Sequence, residues 1–131
     1  MSHFTAIKTE FTEEQTLLRA LEDVRQEFGL GEIRTLERIR GYAGNTTFAQ
    51  IVVGTANPEY DLGFVRQGET YSLVADWQGL RKIKPDQLAN RLRQRYAYHT
   101  VLEKLEAQGF SIAEEAVQKD QTIHLVLRRM I

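Results

Sequence analysis

A series of short alternating segments, joined by turns, constrains the fold of this chain more than any other feature. Thr46–Gly54 has the composition of a strand, and Tyr60–Arg66 and Thr70–Trp77 alternate between apolar and polar residues. Asn57-Pro58 and Gln67-Gly68-Glu69 separate these segments and are typical turn sequences. A parallel crossover needs a dozen or more residues, so these connections predict a mostly antiparallel sheet.

Two segments have helical periodicity instead. In the first, Thr12 is the predicted N-cap, Gln15 follows at capping-box spacing, and the pattern runs to about Phe28 before Gly29. The second is predicted from about Pro85 to Gln108. Proline suits the first helical turn, and Gly109 is the expected C-terminal cap.

The remaining segments complete the predicted order β-α-β-β-β-β-α-β-β. Ser2–Phe11 alternates as a first strand, and Phe110–Val117 and Thr122–Met130 form a last hairpin around residues 119–121. Ile33–Tyr42 has apolar residues spaced by three, which fits neither element well. Its many charges favour an exposed or edge strand.

We therefore predict a single α+β domain over residues 1–131, with an antiparallel sheet of five to six strands and both helices on one face. The predicted core comprises Phe4, Ile7, Leu17, Leu21, Val24, Phe48, Val52, Phe64, Leu73, Leu92, Leu102, Leu105, Leu125 and Leu127.

Composition excludes several classes of protein. The chain has 131 residues, 42% hydrophobic and 27% charged, which is close to the average of globular domains. It has no cysteine, which rules out disulfides and thiol catalysis, and its net charge of −1 gives no overall attraction for nucleic acid. No apolar run reaches the roughly 18 residues of a membrane span, and the N-terminal stretch lacks the pattern of a signal peptide.

Four segments together resemble a known family: MSHFTAIKT, RGYAGNTTFAQIVV, YDLGFVRQGETYSLVADWQG and RLRQRYAYHTVLEKLEAQGF. It is the uncharacterised hypothetical-chloroplast-reading-frame family of cyanobacteria and red-algal plastids, a domain of unknown function. The resemblance covers nearly the whole chain in the same order. It implies a cyanobacterial cytoplasmic or plastid-stromal location, and it supplies no activity and no catalytic residues.

The second helix offers one candidate binding surface. Arg91, Arg95 and His99 recur every four residues and so share a helical stripe beside the predicted core. Such a row of donors could grip a phosphate or a partner's carboxylates. The alternative is that the arginine stems lie along the edge of the core, or that the arginines pair with acids of the sheet.

A second candidate is Asp76 with Trp77, at the end of a predicted strand. The pair could form a ligand platform or an interface anchor, and the alternative is a tryptophan ring that covers the end of the second helix.

Other chemistries find little support. His3, His99 and His124 have no metal-ligand spacing, so no metal or cofactor is expected. Residues 41–47 are glycine-containing but lack a P-loop ending and precede a strand, which favours a turn. A stacking face for RNA would be built from Tyr42, Phe48, Phe64, Tyr71, Arg40 and Arg66.

The sequence therefore favours a small non-enzymatic protein-binding or assembly factor that contacts another protein or itself. The first alternative is a small-molecule or anion-binding domain, possibly an enzyme, with a pocket between the sheet and the second helix. The second alternative is RNA binding.

Overall fold

The elements follow the predicted order along the chain. The structure, a computed structural model, describes residues 3–118 and 122–129, so Ser2, the turn at 119–121 and Met130 lie outside the described residues. The helices are α1 (Glu14–Val24) and α2 (Pro85–Ala107). The strands are β1 (Thr5–Lys8), β2 (Ile33–Arg40), β3 (Thr46–Gly54), β4 (Asp61–Gln67), β5 (Thr70–Ala75), β6 (Phe110–Val117) and β7 (Ile123–Arg129).

The described chain forms two compact units, and the boundary between Tyr96 and Ala97 falls within α2. In the first unit β1 to β5 form one antiparallel sheet in the order β1-β5-β4-β3-β2. In the second unit β6 and β7 form a separate antiparallel pair. The α+β layout with antiparallel strands is confirmed.

Both helices of the first unit pack on the same face of the five-stranded sheet. Leu17 and Leu21 of α1 and Leu88 and Leu92 of α2 are fully buried in one cluster with sheet residues such as Phe64. Each such leucine contributes about 2 kcal/mol relative to full exposure. The predicted placement of both helices on one face is therefore confirmed for the part of α2 in this unit.

A second, smaller cluster lies on the opposite face of the sheet. It consists of Ile39, Ala49, Val52 and Val74, with Phe4 and Val65 partly buried against it. Ala49 belongs to this cluster, whereas Ile51, two residues along the same strand, belongs to the helix-side cluster. Residues two apart on a regular strand share a face, so β3 must turn over between them.

The strand partner of Gln50 shows how the sheet turns over. In the register of β2 with β3 the residue opposite Gln50 is Leu36, which has a left-handed backbone with φ of 53°. The β3–β4 ladder ends at Ile51, and the Gln50 side chain accepts the backbone N–H of Arg66 at 2.7 Å instead. We call Leu36 and Gln50 the inversion point, and residues 37–49 beyond it the distal hairpin.

The distal hairpin covers the face opposite the helices. A Cβ placed on Gly63 of β4 would lie 2.6 Å from the Ile39 Cγ2 atom and 3.2 Å from the Ala49 Cβ atom. Only glycine allows so close an approach of the two layers.

The inversion also corrects one predicted core residue. Phe48 is 45% exposed, because beyond the inversion point the even-numbered residues of β3 face outward. The other predicted core residues of this unit are buried or partly buried.

Helix α1 starts later than the sequence predicted. Its N-cap is Glu13, without a side-chain cap hydrogen bond, so the capping box predicted at Thr12 and Gln15 is wrong. The Tyr96 hydroxyl of α2 instead accepts the backbone N–H groups of Thr12 at 3.2 Å and of Glu13 at 3.0 Å. The Tyr96 ring stacks on Phe11 with centroids 4.5 Å apart.

The second unit consists of the last turns of α2 and the β6–β7 pair. Its apolar residues Leu102, Leu105, Leu125 and Leu127 are partly buried, in line with their predicted core positions. The positive φ of 87° at Gly109 ends α2 where the sequence placed the cap.

Candidate functional site

The two arginines of the predicted stripe hold α2 against α1. Arg95 Nε donates to the Asp23 carboxylate at 2.8 Å, and Arg91 Nε donates to Glu27 at 3.0 Å. The Arg95 side chain is only 14% exposed. These acids lie on or just after α1 rather than on the sheet, so the arginines pair with a different element from the one suggested by the sequence.

His99, the third member of the stripe, lies in the second unit. Its ring meets the neighbouring Tyr98 edge to face at a centroid distance of 5.1 Å. The Tyr98 hydroxyl donates to the Glu115 carboxylate of β6 at 2.9 Å. The hydrogen bond of Tyr98 links α2 with this strand, whereas the His99 contact lies within the helix.

Asp76 and Trp77 are adjacent in sequence but belong to different surroundings. The Asp76 carboxylate accepts the backbone N–H of Tyr42 at 3.0 Å, at the tip of the distal hairpin. Trp77 packs against the helix-side core, and its Nε1 atom is buried without a hydrogen-bond acceptor in the described part of the chain. Asp76 and Arg95 are therefore on opposite sides of the sheet and share no site.

The structure contains a charged cluster that the sequence did not reveal. Asp61, at the start of β4, is fully buried. Its carboxylate accepts the Arg40 backbone N–H at 2.9 Å, the Arg40 guanidinium at 2.8 and 3.0 Å, and the Arg34 guanidinium at 3.4 Å. Residues 21 and 27 positions apart meet here, so no local pattern could have indicated the cluster.

The electrostatics of this cluster favour the ionised pair. Burial alone raises the pKa of Asp61, but the hydrogen bonds and positive charge of Arg40, with the charge of Arg34, outweigh it and lower the pKa. The hydrogen bond from Arg40 to Asp61 likewise raises the arginine pKa. Since Leu62 pairs with Ala75, Asp61 and Asp76 face each other at the end of the β4–β5 ladder. Both carboxylates hold the distal hairpin, one through Arg40 and the other through Tyr42.

Large exposed apolar side chains lie on the distal hairpin and at the inversion point from which it starts. Leu36 is 68% exposed, Tyr42 50% and Phe48 45%. We call these three residues the hairpin surface. By register Phe48 is the diagonal neighbour of Leu36, a separation of about 7–8 Å between Cα atoms. The backbones at Leu36 and Phe48 are therefore close, and both side chains are exposed.

The aromatic residues proposed for RNA stacking divide into two groups. Phe64 and Tyr71 are buried in the helix-side core, where Tyr71 also receives the Arg66 guanidinium at 5.1 Å from its ring centroid. Only Tyr42 and Phe48 of the four are exposed. A continuous stacking face is therefore not formed by these four residues.

The part of the chain that the structure describes has neither a metal-binding cluster nor a membrane-spanning helix. Within residues 3–118 and 122–129 no three histidine, cysteine or acidic side chains are grouped so as to hold a metal ion. Neither helix described in the structure is long and apolar enough to cross a membrane.

Comparison with known proteins identifies the family. Residues 20–126 match the model of DUF1257, described as a protein of unknown function. The chain belongs to this family. It is 36% identical over 132 aligned positions to "Uncharacterized protein ycf35" of Guillardia theta, and 98% of each chain is covered.

Two further relatives support the same assignment. Proteins of the same name from Cyanophora paradoxa and Pyropia yezoensis are each 30% identical, again with 98% of both chains covered. The resemblance to the hypothetical-chloroplast-reading-frame family is thereby confirmed. No solved structure matches the chain.

Proposed function

We propose that the protein is a non-enzymatic binding or assembly factor that contacts a partner protein through the hairpin surface. The observation that carries this proposal is Leu36, which is both 68% exposed and held in a left-handed backbone conformation. The names of the relatives, which refer to a plastid reading frame, support a cyanobacterial cytoplasmic or plastid-stromal location.

Neither property of Leu36 stabilises the folded chain. A left-handed conformation costs an L-residue other than glycine, asparagine or aspartate about 1–2 kcal/mol. The inversion point requires this backbone, but it does not require leucine, since asparagine or glycine would adopt the conformation at lower cost. Because the Leu36 side chain is exposed, it also contributes little hydrophobic free energy to folding. Strained residues of this kind cluster at functional sites.

The surroundings of Leu36 strengthen the case. Single exposed apolar residues are common on any surface. Here Tyr42 and Phe48 lie on the distal hairpin and Leu36 lies where it starts, and this hairpin is fixed to the sheet by two buried carboxylates. A rigid support lowers the entropy lost on binding.

The first alternative, a ligand pocket between the sheet and α2, has weaker support. Arg91 and Arg95 bind acids of the first helical segment, and Asp76 binds the hairpin on the other side of the sheet. Arg95 and Asp76, two of the residues proposed to line that pocket, do not converge.

Site-specific photo-crosslinking tests the proposal. A photoreactive phenylalanine analogue at position 48 is expected to capture a defined protein from an extract of cyanobacterial or red-algal cells. The same analogue at Val101, which is 50% exposed on α2, serves as the matched control. The position-48 product should disappear when Leu36→Asn is added. Equal products from both positions, or a product insensitive to Leu36→Asn, would contradict the proposal.

A further inference from the structure

From the charges beside the hairpin surface, we infer that its partner is a protein segment carrying a carboxylate next to an apolar side chain. This inference rests on the proposed function and adds the chemistry of the partner. The three arginines of β2 differ in what they bind.

Two of these arginines have a carboxylate within the molecule. Arg34 lies 3.1 Å from Glu37 and 3.4 Å from Asp61, and Arg40 lies 2.8 Å from Asp61. Arg38 differs, because its Nε donates to the neutral hydroxyl of Thr46 at 2.8 Å, and no carboxylate pairs with it among the described residues. Its positive charge is not balanced by a direct contact.

The register places this charge beside Phe48 of the hairpin surface. Arg38 is directly opposite Phe48, and Leu36 lies two residues before it on the same strand. Directly opposite residues of an antiparallel pair have Cβ atoms about 4.5–5.5 Å apart. An apolar group that contacts Phe48 therefore brings its neighbours close to the Arg38 guanidinium.

The chemistry of Arg38 favours a carboxylate as its ligand. Thr46 occupies the Nε–H group and orients the guanidinium, and the two Nη groups keep the planar fork that matches a carboxylate. Hydrogen bonds between charged groups of this kind are stronger than neutral ones. A partner with an acid beside its apolar anchor would satisfy both halves of the surface.

Other occupants fit less well. A second copy of the chain would bring the same unbalanced Arg38 charge against itself under two-fold symmetry. A nucleic acid would gain little from Leu36, which offers no ring for stacking, and the chain has a net charge of −1.

Selection from a displayed library of random 16-residue peptides tests the inference, with the full chain as bait. We expect enrichment of peptides with aspartate or glutamate next to leucine, phenylalanine or tryptophan. Arg38→Gln should weaken their binding at least tenfold. Added salt should weaken the binding of the natural chain and have little effect on the variant, which lacks the charge that salt screens. Arg81→Gln, which changes an exposed arginine of a loop, is the matched control and should leave binding unchanged.

The possible failures are distinguishable. Selection of apolar peptides without acids would overturn the inferred partner chemistry if their binding is lost in Leu36→Asn but unaffected by Arg38→Gln. The proposed function would then stand. Peptide binding that is insensitive to Leu36→Asn and Phe48→Ser would overturn both. Arg38-dependent retention of the chain on a single-stranded RNA 20-mer at low salt would replace the protein partner with a nucleic acid.

Discussion

Replacement of Asp61 by asparagine tests whether the buried cluster holds the distal hairpin. The carboxylate accepts three hydrogen bonds from Arg40, at 2.8–3.0 Å, and a longer one from Arg34. Asparagine keeps one acceptor oxygen but turns an amide donor toward a guanidinium donor. Hydrogen bonds to charged groups contribute about 1.5–3 kcal/mol each.

The loss of folding stability should be smaller than the summed free energies of these hydrogen bonds. The Arg40 side chain is 48% exposed, so its guanidinium can turn to water once the carboxylate is removed. We therefore expect Asp61→Asn to lower the free energy of unfolding by about 2–4 kcal/mol at pH 7. At ~4 °C per kcal/mol for a domain of this size, the melting temperature should fall by roughly 8–16 °C.

The stability difference between the natural protein and Asp61→Asn should depend on pH in a definite direction. The folded-state pKa of Asp61 is lowered, so its ionised form stabilises the fold fully above the unfolded-state pKa of about 3.9. This contribution is lost as the pH falls from there through the folded-state pKa. The difference in the free energy of unfolding between the natural protein and Asp61→Asn should thus be constant near neutrality and become smaller below about pH 4.

Urea denaturation between pH 7 and pH 2.5, followed by circular dichroism, measures both effects. Glu69→Gln, which changes an exposed acid in the β4–β5 turn, is the control. A loss below about 0.5 kcal/mol in Asp61→Asn would refute the reasoning. A stability difference between the two proteins that increases as the pH falls would also refute it.

Three further predictions concern packing and backbone geometry. Gly63→Ala should destabilise the protein by about 2–3 kcal/mol in urea denaturation, because the new Cβ would lie 2.6 Å from the Ile39 side chain. Gly54→Ala is the control: its Cβ would have no contact under 3.8 Å, so stability should change by less than about 1 kcal/mol. Tyr96→Phe should cost about 1–2 kcal/mol and speed hydrogen exchange of the two backbone amides preceding α1, while a protein with unchanged exchange there would contradict the assigned hydrogen bonds. Leu36→Asn should unfold at the same temperature or up to about 5 °C higher in calorimetry, and a clear fall would show that the leucine itself stabilises the inversion point.

Local sequence patterns were sufficient for the order of the elements and for the helix-side core. The alternation of Thr70–Trp77 and the leucine spacing of both helices correspond to the buried cluster observed. Pro85 and Gly109 bound α2 as predicted because helix termini depend on residues at the termini themselves. Here the local chemistry and the fold agree.

Contacts between distant residues explain where prediction failed. The amides of Thr12 and Glu13 bind a hydroxyl more than 80 residues away, so the capping box that the sequence offered was not used. The Asp61 cluster has the same origin, since a buried acid at the start of an apolar strand has no sequence signature. Of the candidate site residues, Arg91 and Arg95 are accounted for by ion pairs, and the binding roles of all five stay predictions.

One irregularity in the sequence did contain information. Ile33, Leu36 and Ile39 are spaced by three, which suits neither strand nor helix. The structure explains this spacing, because Ile33 packs on the helix-side cluster and Ile39 on the opposite one. A break in period-two alternation within an otherwise extended segment can therefore mark a strand that changes faces.

The inversion point also limits how the sheet can grow. β2 is an edge strand, and such edges can recruit further strands into fibres. A strand added to β2 would find three residues on one side of Leu36 and four on the other, with their side chains turned to opposite faces. The other edge, β1, has four residues. A sheet with these edges should resist amyloid-like stacking while the apolar hairpin surface stays exposed.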